Sequence, residues 1–542
     1  MKNIRVLDCT LRDGGRIIDC AFPDSKISQI AENLSLAGVD IVELGFLRDS
    51  GTVAYSGNST FFTDVAQITP FIPQGNYKTE YVAFIDFSMF DFSALKARTE
   101  GTISGIRVGF TRNDYERHYN DLLKAFRTVK VLGYNLFIQG VNTLEYADLD
   151  LLQLIETINV IQPVSFGIVD TYGGMYVDDV ARLYGLIDHN LDSGIAIDFH
   201  SHNNFQLSFS FAQEVIRLSN GVRKIIVDAT LDGMGKGAGN LNTELIVDFL
   251  VRKMNYGYNT DLIFDTIDDH LHDLREKLHW GYSPTALLSG IYHSHPNNVI
   301  YLTQKFRLNT KDIKNILSML EAPERQRYDY GRLDRLLEEY GNANCDDGAG
   351  LATLLETFAG NSVLVLAPGM TILTHREIID RYIAEHAPII VGVNFTPDYP
   401  GSYSFFANKK RFAARKISGM SKVIVSSNVE HVLADAITVN YHSLVNRGYK
   451  LFDNSALMLL NLLKRLRVAE IAIAGMDGFV SGSHNNYFDA SLEVERLHTQ
   501  FDAINAELSV MLRRYAAAVK GQCTVSLITP SKFDTVLKLK QS

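Results

Sequence analysis

The sequence predicts an α/β chain in two parts. An N-terminal eight-stranded (β/α)₈ barrel is followed by a helical extension and a C-terminal open, doubly wound α/β sheet. Three observations carry this. Eight short apolar runs in the first 230 residues alternate with helix-length amphipathic segments. A second alternating block begins near residue 360, and the polar, glycine-containing stretch Asn342–Gly350 lies between the two.

The eight runs are Ile4–Thr10, Asp40–Phe46, Glu80–Ile85, Gly105–Phe110, Asn135–Val141, Val164–Thr171, Ala196–His202 and Lys224–Thr230. Most are short and apolar, with β-branched or aromatic residues, as strands covered on both faces should be. The intervening segments carry apolar residues at helical spacing, as in Ile27, Ile30, Ala31, Leu34 and Ala37, and again over Asp121–Leu132. Gly38 and Gly133 are the expected helix stops. Eight repeats of strand and helix predict a TIM barrel over residues 1–299. Leu241–Leu278 reads as helical, and residues 300–355 as a helical extension with the linker Asn342–Gly350. Residues 356–542 form the second α/β domain, with strands at Ser362–Ala367, Pro388–Asn394, Lys422–Ser426 and Ala469–Ala474 and an amphipathic helix at Asn454–Arg467.

The 542 residues are 46% hydrophobic and 21% charged, with net charge −10, a balance that suits a globular enzyme. No long basic block is present, which argues against nucleic acid or an anionic membrane as partner. Four cysteines without paired spacing fit a reducing cytoplasm. The start, Met1-Lys2-Asn3-Ile4-Arg5, lacks the apolar core of a signal peptide, and the apolar runs are strand-sized, so no membrane span is expected.

The first chemical motif, Asp8-Cys9-Thr10-Leu11-Arg12-Asp13-Gly14-Gly15, follows strand one. The second, Asp198-Phe199-His200-Ser201-His202-Asn203-Asn204, ends strand seven. In a parallel barrel both lie on the rim where active sites are built. Histidines two apart on a strand point the same way, so His200 and His202 read as two imidazole ligands, completed by Asp13. That set suits Mn²⁺ or Mg²⁺, and also admits Zn²⁺ or Co²⁺. Ordinary barrel-mouth histidines and a structural Arg–Asp pair are the alternatives. The third motif, Asp228-Ala229-Thr230-Leu231-Asp232-Gly233-Met234-Gly235-Lys236-Gly237-Ala238-Gly239-Asn240, follows strand eight. It cradles an anion or forms a compact turn, and Asn240 either faces the metal or caps the next helix.

In this order on these strands, the motifs resemble the DRE-TIM metallolyase superfamily. Its members include 4-hydroxy-2-oxovalerate aldolase, 3-hydroxy-3-methylglutaryl-CoA lyase and the isopropylmalate and homocitrate synthases. Asp170-Thr171-Tyr172-Gly173-Gly174 and Glu43 also look like family segments. The resemblance covers roughly residues 1–300. It implies a metal site of Asp13, His200, His202 and Asn240, with Arg12 stabilising a pyruvate- or acetyl-derived enolate. It further implies catalytic roles for Arg12, Asp13, Glu43 and Tyr282, and substrate contacts from Arg12, Arg16, Thr171 and Gly237. This chain has Gly15-Arg16 where the lyase and synthase branches read x-Gln, and Arg16 stands where the aldolase branch has a histidine.

In the second domain, Val363–Gly369 followed by a helix resembles the start of Rossmann-like nucleotide-binding transferases. Pro368, Gly369, Asn394 and Asp477 are its expected nucleotide contacts, and Lys409, Lys410 and Arg411 either meet phosphate or form a solvated surface. The reading is a metal-dependent aldolase or lyase acting through a pyruvate-like enolate, in a setting such as unusual sugar or surface polysaccharide synthesis. Expected partners are 2-oxoacid and aldehyde substrates, a nucleotide or nucleotide sugar at the C-terminal domain, and further copies of the chain. The alternatives are a Claisen-type acyl-CoA condensing synthase and a metal-binding pseudoenzyme.

Overall fold

Strands form where the apolar runs stand. The computed structural model describes residues 3–304, 308–343, 345–415, 422–480, 486–489, 492 and 500–539. Barrel strands are β1 (Ile4–Asp8), β2 (Ile41–Leu47), β3 (Glu80–Asp86), β4 (Gly105–Phe110), β5 (Asn135–Gly140), β6 (Ser165–Asp170), β7 (Ala196–Ser201) and β8 (Ile225–Ala229). Every residue of β2, β4, β6, β7 and β8 is buried, which is why these runs lack polar alternation. All eight pair in parallel, and β1 bonds both β8 and β2, closing the barrel. The helices turn their apolar stripes onto it: Asp24–Leu36 buries Ile27, Ile30, Ala31 and Leu34, and Tyr119–Val131 buries Leu122, Ala125, Phe126 and Val129. Leu241–Leu278, expected as helical, is broken into helices at Thr243–Met254, Thr260–His270 and His272–Lys277. Asn255 ends the first of them in the left-handed region.

The barrel interior is not wholly apolar. Arg107 from β4 is fully buried and donates to Glu43 (3.2 Å), Asp198 (3.1 Å) and Asp228 (2.5 Å). A buried guanidinium costs several kcal/mol in lost hydration unless carboxylates surround it, and here three do. Burial first, and the Asp228 charge second, push the Asp198 carboxyl up to about 7.

The chain divides into two compact units, Met1–Ile300 with Leu320–Tyr328, and Tyr301–Met319 with Asp329–Ser542. The second unit holds a seven-stranded parallel sheet. Its strands are β9 (Ser362–Leu366), β10 (Ile389–Val393), β11 (Tyr403–Phe406), β12 (Lys422–Ser426), β13 (Ile437–Val439), β14 (Glu470–Ala474) and β15 (Thr524–Leu527). Their order is β13-β12-β11-β10-β9-β14-β15, so the chain reverses its direction of travel between β9 and β14. The Asn342–Gly350 stretch, read as a linker, is fastened within this unit. Asn440 donates through Nδ2 to the Gly341 carbonyl (2.6 Å) and the Cys345 carbonyl (3.2 Å), and Asp347 accepts from Arg465 (3.0 Å). Asn344 lies outside the described residues. Among the described residues, no helix is long and apolar enough to cross a membrane.

Candidate metal centre

The chain leaving β1 coils at once, with the Asp13 and Gly14 amides both bonded to the Cys9 carbonyl (2.8 and 3.2 Å). This turn carries Asp13 onto the rim, opposite the end of β7. His200 and His202 point the same way from β7, their rings 5.3 Å apart at 83°. Their Nε2 atoms lie 3.9 and 3.6 Å from Asp13 Oδ2. One atom from each of the three residues falls within a 4.8 Å cluster, as joint ligands of one ion must.

Electrostatics suit a cation. Burial alone would raise the Asp13 carboxyl, but Arg12, His202, His200 and Arg16 hold it well below the ordinary carboxylate range. Burial pushes both histidines down to about 4, leaving them neutral, the form that offers a lone pair. His200 donates through Nδ1 to Asp228 Oδ2 (3.0 Å), so its Nε2 is the free nitrogen. Asp13 Oδ2 and Asn240 Oδ1 are buried with no hydrogen-bond partner, a costly arrangement without a ligand. Asn240 is held by its amide, which donates to the Met234 carbonyl (2.9 Å), and its backbone bridges to His202. These residues fit a divalent metal.

Asp13, His200 and His202 line a cavity of about 300 Å³ together with Arg12, Arg16 and Thr171. Arg12 is pinned through Nε to Glu43 (2.5 Å) and through Nη1 to Asp13 (2.6 Å), with its plane over Phe84 at 4.4 Å. Its Nη2 makes no hydrogen bond among the described residues, which leaves one edge of the fork for a ligand. Arg16 reaches Asp13 (3.3 Å) and Asp86 (3.7 Å). Thr171 Oγ1 accepts from the Asn142 amide (2.7 Å).

Three expected site residues lie elsewhere. Glu43 is fully buried behind Arg12 and Arg107, and both of its oxygens are engaged by them, so it holds guanidinium groups rather than meeting substrate. Tyr282 is 57% exposed and does not line the cavity. Its neighbours are tied down instead, Trp280 to the Asp232 carbonyl (2.8 Å) and Gly281 to the Gly237 carbonyl (3.2 Å). Gly237 shapes the turn at φ +66°, while Lys236 beside it is the residue that lines the cavity. Lys236, His295, Gln139, Gln326 and Asp86 are wall residues that the motifs did not single out. Lys236 belongs to the glycine-rich motif after strand eight, but nothing in its spacing says which way it faces.

In the second unit, Pro368, Gly369, Asn394 and Asp477 converge on one cavity of about 280 Å³, with Arg411 on its wall. It sits at the β9–β14 reversal, the usual ligand position of an open parallel sheet. The turn's own amides are taken. Gly369 donates to the Gly475 carbonyl (2.8 Å) and Thr371 to Asp477 Oδ2 (2.8 Å), while the Thr371 hydroxyl also donates to Asp477. A phosphate would therefore not find those N–H groups free. Neither Lys409 nor Lys410 lines this cavity.

Residues 111–269 match the HMGL-like family model. A 4-hydroxy-2-oxovalerate aldolase of Pelotomaculum thermopropionicum is 26% identical over 48% of this chain and 74% of its own length. One from Carboxydothermus hydrogenoformans is 22% identical over 59% of this chain and 93% of its own. A 2-isopropylmalate synthase of Staphylococcus carnosus is 25% identical over 49% of this chain and 52% of its own. The HMG-CoA lyase structure from Brucella melitensis covers 51% of this chain and 100% of its own at 14% identity and TM-score 0.41.

Proposed function

We propose that this chain, which carries an HMGL-like domain with aldolase relatives, is a divalent-metal-dependent carbon–carbon lyase that cleaves or forms 4-hydroxy-2-oxoacids. The observation that carries this is the meeting of Asp13, His200 and His202 beside the free edge of Arg12, in one cavity. A bound Mn²⁺ or Mg²⁺ would supply the positive charge that polarises the 2-oxo group. The chain's own residues do the rest. Arg12, held rigid by Glu43 and Asp13, presents Nη2 to the oxygen on which negative charge develops. In cleavage the C4 hydroxyl loses its proton, the C3–C4 bond breaks, and its electron pair becomes the enolate double bond. An aldehyde leaves, and C3 takes up a proton to give pyruvate. Thr171 and Arg16 line the path as substrate contacts.

The same reading assigns the second unit's cavity to a nucleotide or nucleotide sugar, held by side chains such as Asn394 and Arg411 rather than by turn amides. It also keeps synthesis of an unusual sugar or surface polysaccharide as the setting. Calorimetric titration of the full chain with nucleotides and nucleotide sugars tests that assignment, and absence of heat with all of them refutes it. For the barrel, the test is pyruvate release from 4-hydroxy-2-oxovalerate against thiol release from acetyl-CoA with a 2-oxoacid. Pyruvate release supports the lyase, thiol release moves the chain to the synthase branch, and metal binding with neither reaction makes it a pseudoenzyme.

A further inference from the structure

Lys236, Arg16 and His295 line the same cavity as the proposed metal ligands. Lys236 is half-buried, and its one polar partner among the described residues is Asn297 Oδ1 at 3.4 Å; it pairs with no carboxylate. His295 accepts the Asn297 amide at Nδ1 (3.1 Å), which places its ring proton on Nε2. Its backbone amide is fixed on the Arg325 carbonyl (2.8 Å) and its ring lies 4.8 Å from that of Tyr328. Arg16 adds a guanidinium to the same wall. The two carboxylates lining the cavity are already engaged, Asp13 by Arg12 and Arg16, Asp86 by Arg48 and Arg16. Burial, reinforced by the neighbouring Arg16 charge, lowers the Lys236 ammonium below its ordinary value. Burial first, then Lys236, Arg16 and His202, push His295 down to about 4, so it stands neutral beside two cations. Asp19 and Asp13 act on this ammonium only from beyond ion-pair distance, and a half-buried ammonium that no carboxylate contacts among the described residues is stabilised by an anion.

We infer that Lys236, with Arg16 and His295, binds an anionic group on the aldehyde half of the substrate, a carboxylate or a phosphate. This rests on the lyase reading and narrows it. The preferred 4-hydroxy-2-oxoacid carries a second negative charge beyond C4, and a neutral aldehyde such as acetaldehyde is a poor acceptor.

The test is condensation with pyruvate in the Mn²⁺-loaded full chain, using matched acceptors: glyoxylate against acetaldehyde, and glyceraldehyde 3-phosphate against glyceraldehyde. The anionic member of at least one pair should show the higher kcat/KM, and which pair does so tells carboxylate from phosphate. In Lys236→Gln that preference should fall about 10–100-fold, the scale of one charge-assisted hydrogen bond, mainly through KM. Lys236→Arg should keep most of it. Equal use of charged and neutral acceptors, or a preference unchanged in Lys236→Gln, overturns the inference. If no acceptor reacts, the lyase reading fails instead. Calorimetric binding of 4-hydroxy-2-oxoglutarate and 4-hydroxy-2-oxovalerate then decides the charge question alone: tighter binding of the former, lost in Lys236→Gln, supports it, and equal affinity overturns it.

Discussion

His200 is oriented by what stands behind it. Asp228 accepts the Nδ1–H hydrogen bond, and Arg107 holds Asp228 (2.5 Å), so the Nε2 lone pair faces Asp13. Asp228→Asn should therefore weaken Mn²⁺ binding about 10–100-fold while the barrel stays folded, the usual cost of losing a partner behind a metal ligand. Titration calorimetry checks this, and unchanged affinity would make Asp228 a purely structural residue. Removing both imidazoles, His200→Ala with His202→Ala, should abolish tight metal binding, and elemental analysis finding full occupancy would refute the proposed ligands. Arg12→Lys keeps the charge but loses the fork that reaches Glu43, Asp13 and the cavity together. Turnover should fall about 10²–10³-fold with metal content unchanged. Steady-state kinetics with metal analysis reads both. At this scale the sequence shows that His200 and His202 point the same way, because two residues apart on a strand fixes a shared direction. It does not show Lys236 or His295, whose directions are set by loop contacts such as His295 to Arg325, 30 residues away.

The strands put these side chains in place, and the end of β6 shows what that costs. Asp170 is buried and accepts the Gly174 amide (2.9 Å) and the Met175 amide (3.2 Å), which folds the Thr171-Tyr172-Gly173 turn against the rim. Burial outweighs those bonds and pushes its carboxyl up to about 7. The folded value lies above the unfolded one, so this group favours the folded state at low pH. That contribution is lost as pH rises through about 7. Asp170→Asn removes the charge and keeps one acceptor oxygen, so one of the two amides loses its partner at every pH. Its effect on the barrel's melting temperature should be more favourable at pH 8 than at pH 5, by at least about 2 °C, as calorimetry would show. An equal effect at both pH values would mean the carboxyl is ionised throughout. Barrel strands were legible because burial on both faces leaves an apolar run with no alternation. Tyr403–Phe406, Ile437–Val439 and Thr524–Leu527 were not legible, being three or four residues long and defined by the strands they pair with.

Across the whole molecule, the boundary was the hardest feature to read. Helices on either side of residue 320 look alike in sequence, yet Leu320–Tyr328 belongs with the barrel and Tyr301–Met319 with the second sheet. Leu320–Tyr328 supplies Gln326 to the cavity wall and the Arg325 carbonyl to His295 and Asn298. A chain ending at Ile300 should therefore melt below one ending at Tyr328, while the proposed ligands Asp13, His200 and His202 are present in both. Thermal unfolding compares them directly, and equal midpoints would mean the segment adds nothing to the barrel. The presence of two α/β parts was legible from their alternation, but the ligand of the second was not, because a single glycine turn does not reveal that Asp477 takes the Thr371 amide and the Gly475 carbonyl the Gly369 amide. A metal held by Asp13, His200 and His202 would make this cavity generate an enolate from pyruvate. Exchange of the pyruvate methyl protons with deuterium, followed by NMR on the full chain, measures that directly. Exchange should proceed with Mn²⁺ or Mg²⁺, stop on chelation, return when metal is restored, and be absent from the His200→Ala, His202→Ala variant. Exchange that survives chelation, or no exchange in the metal-loaded wild type, would contradict it.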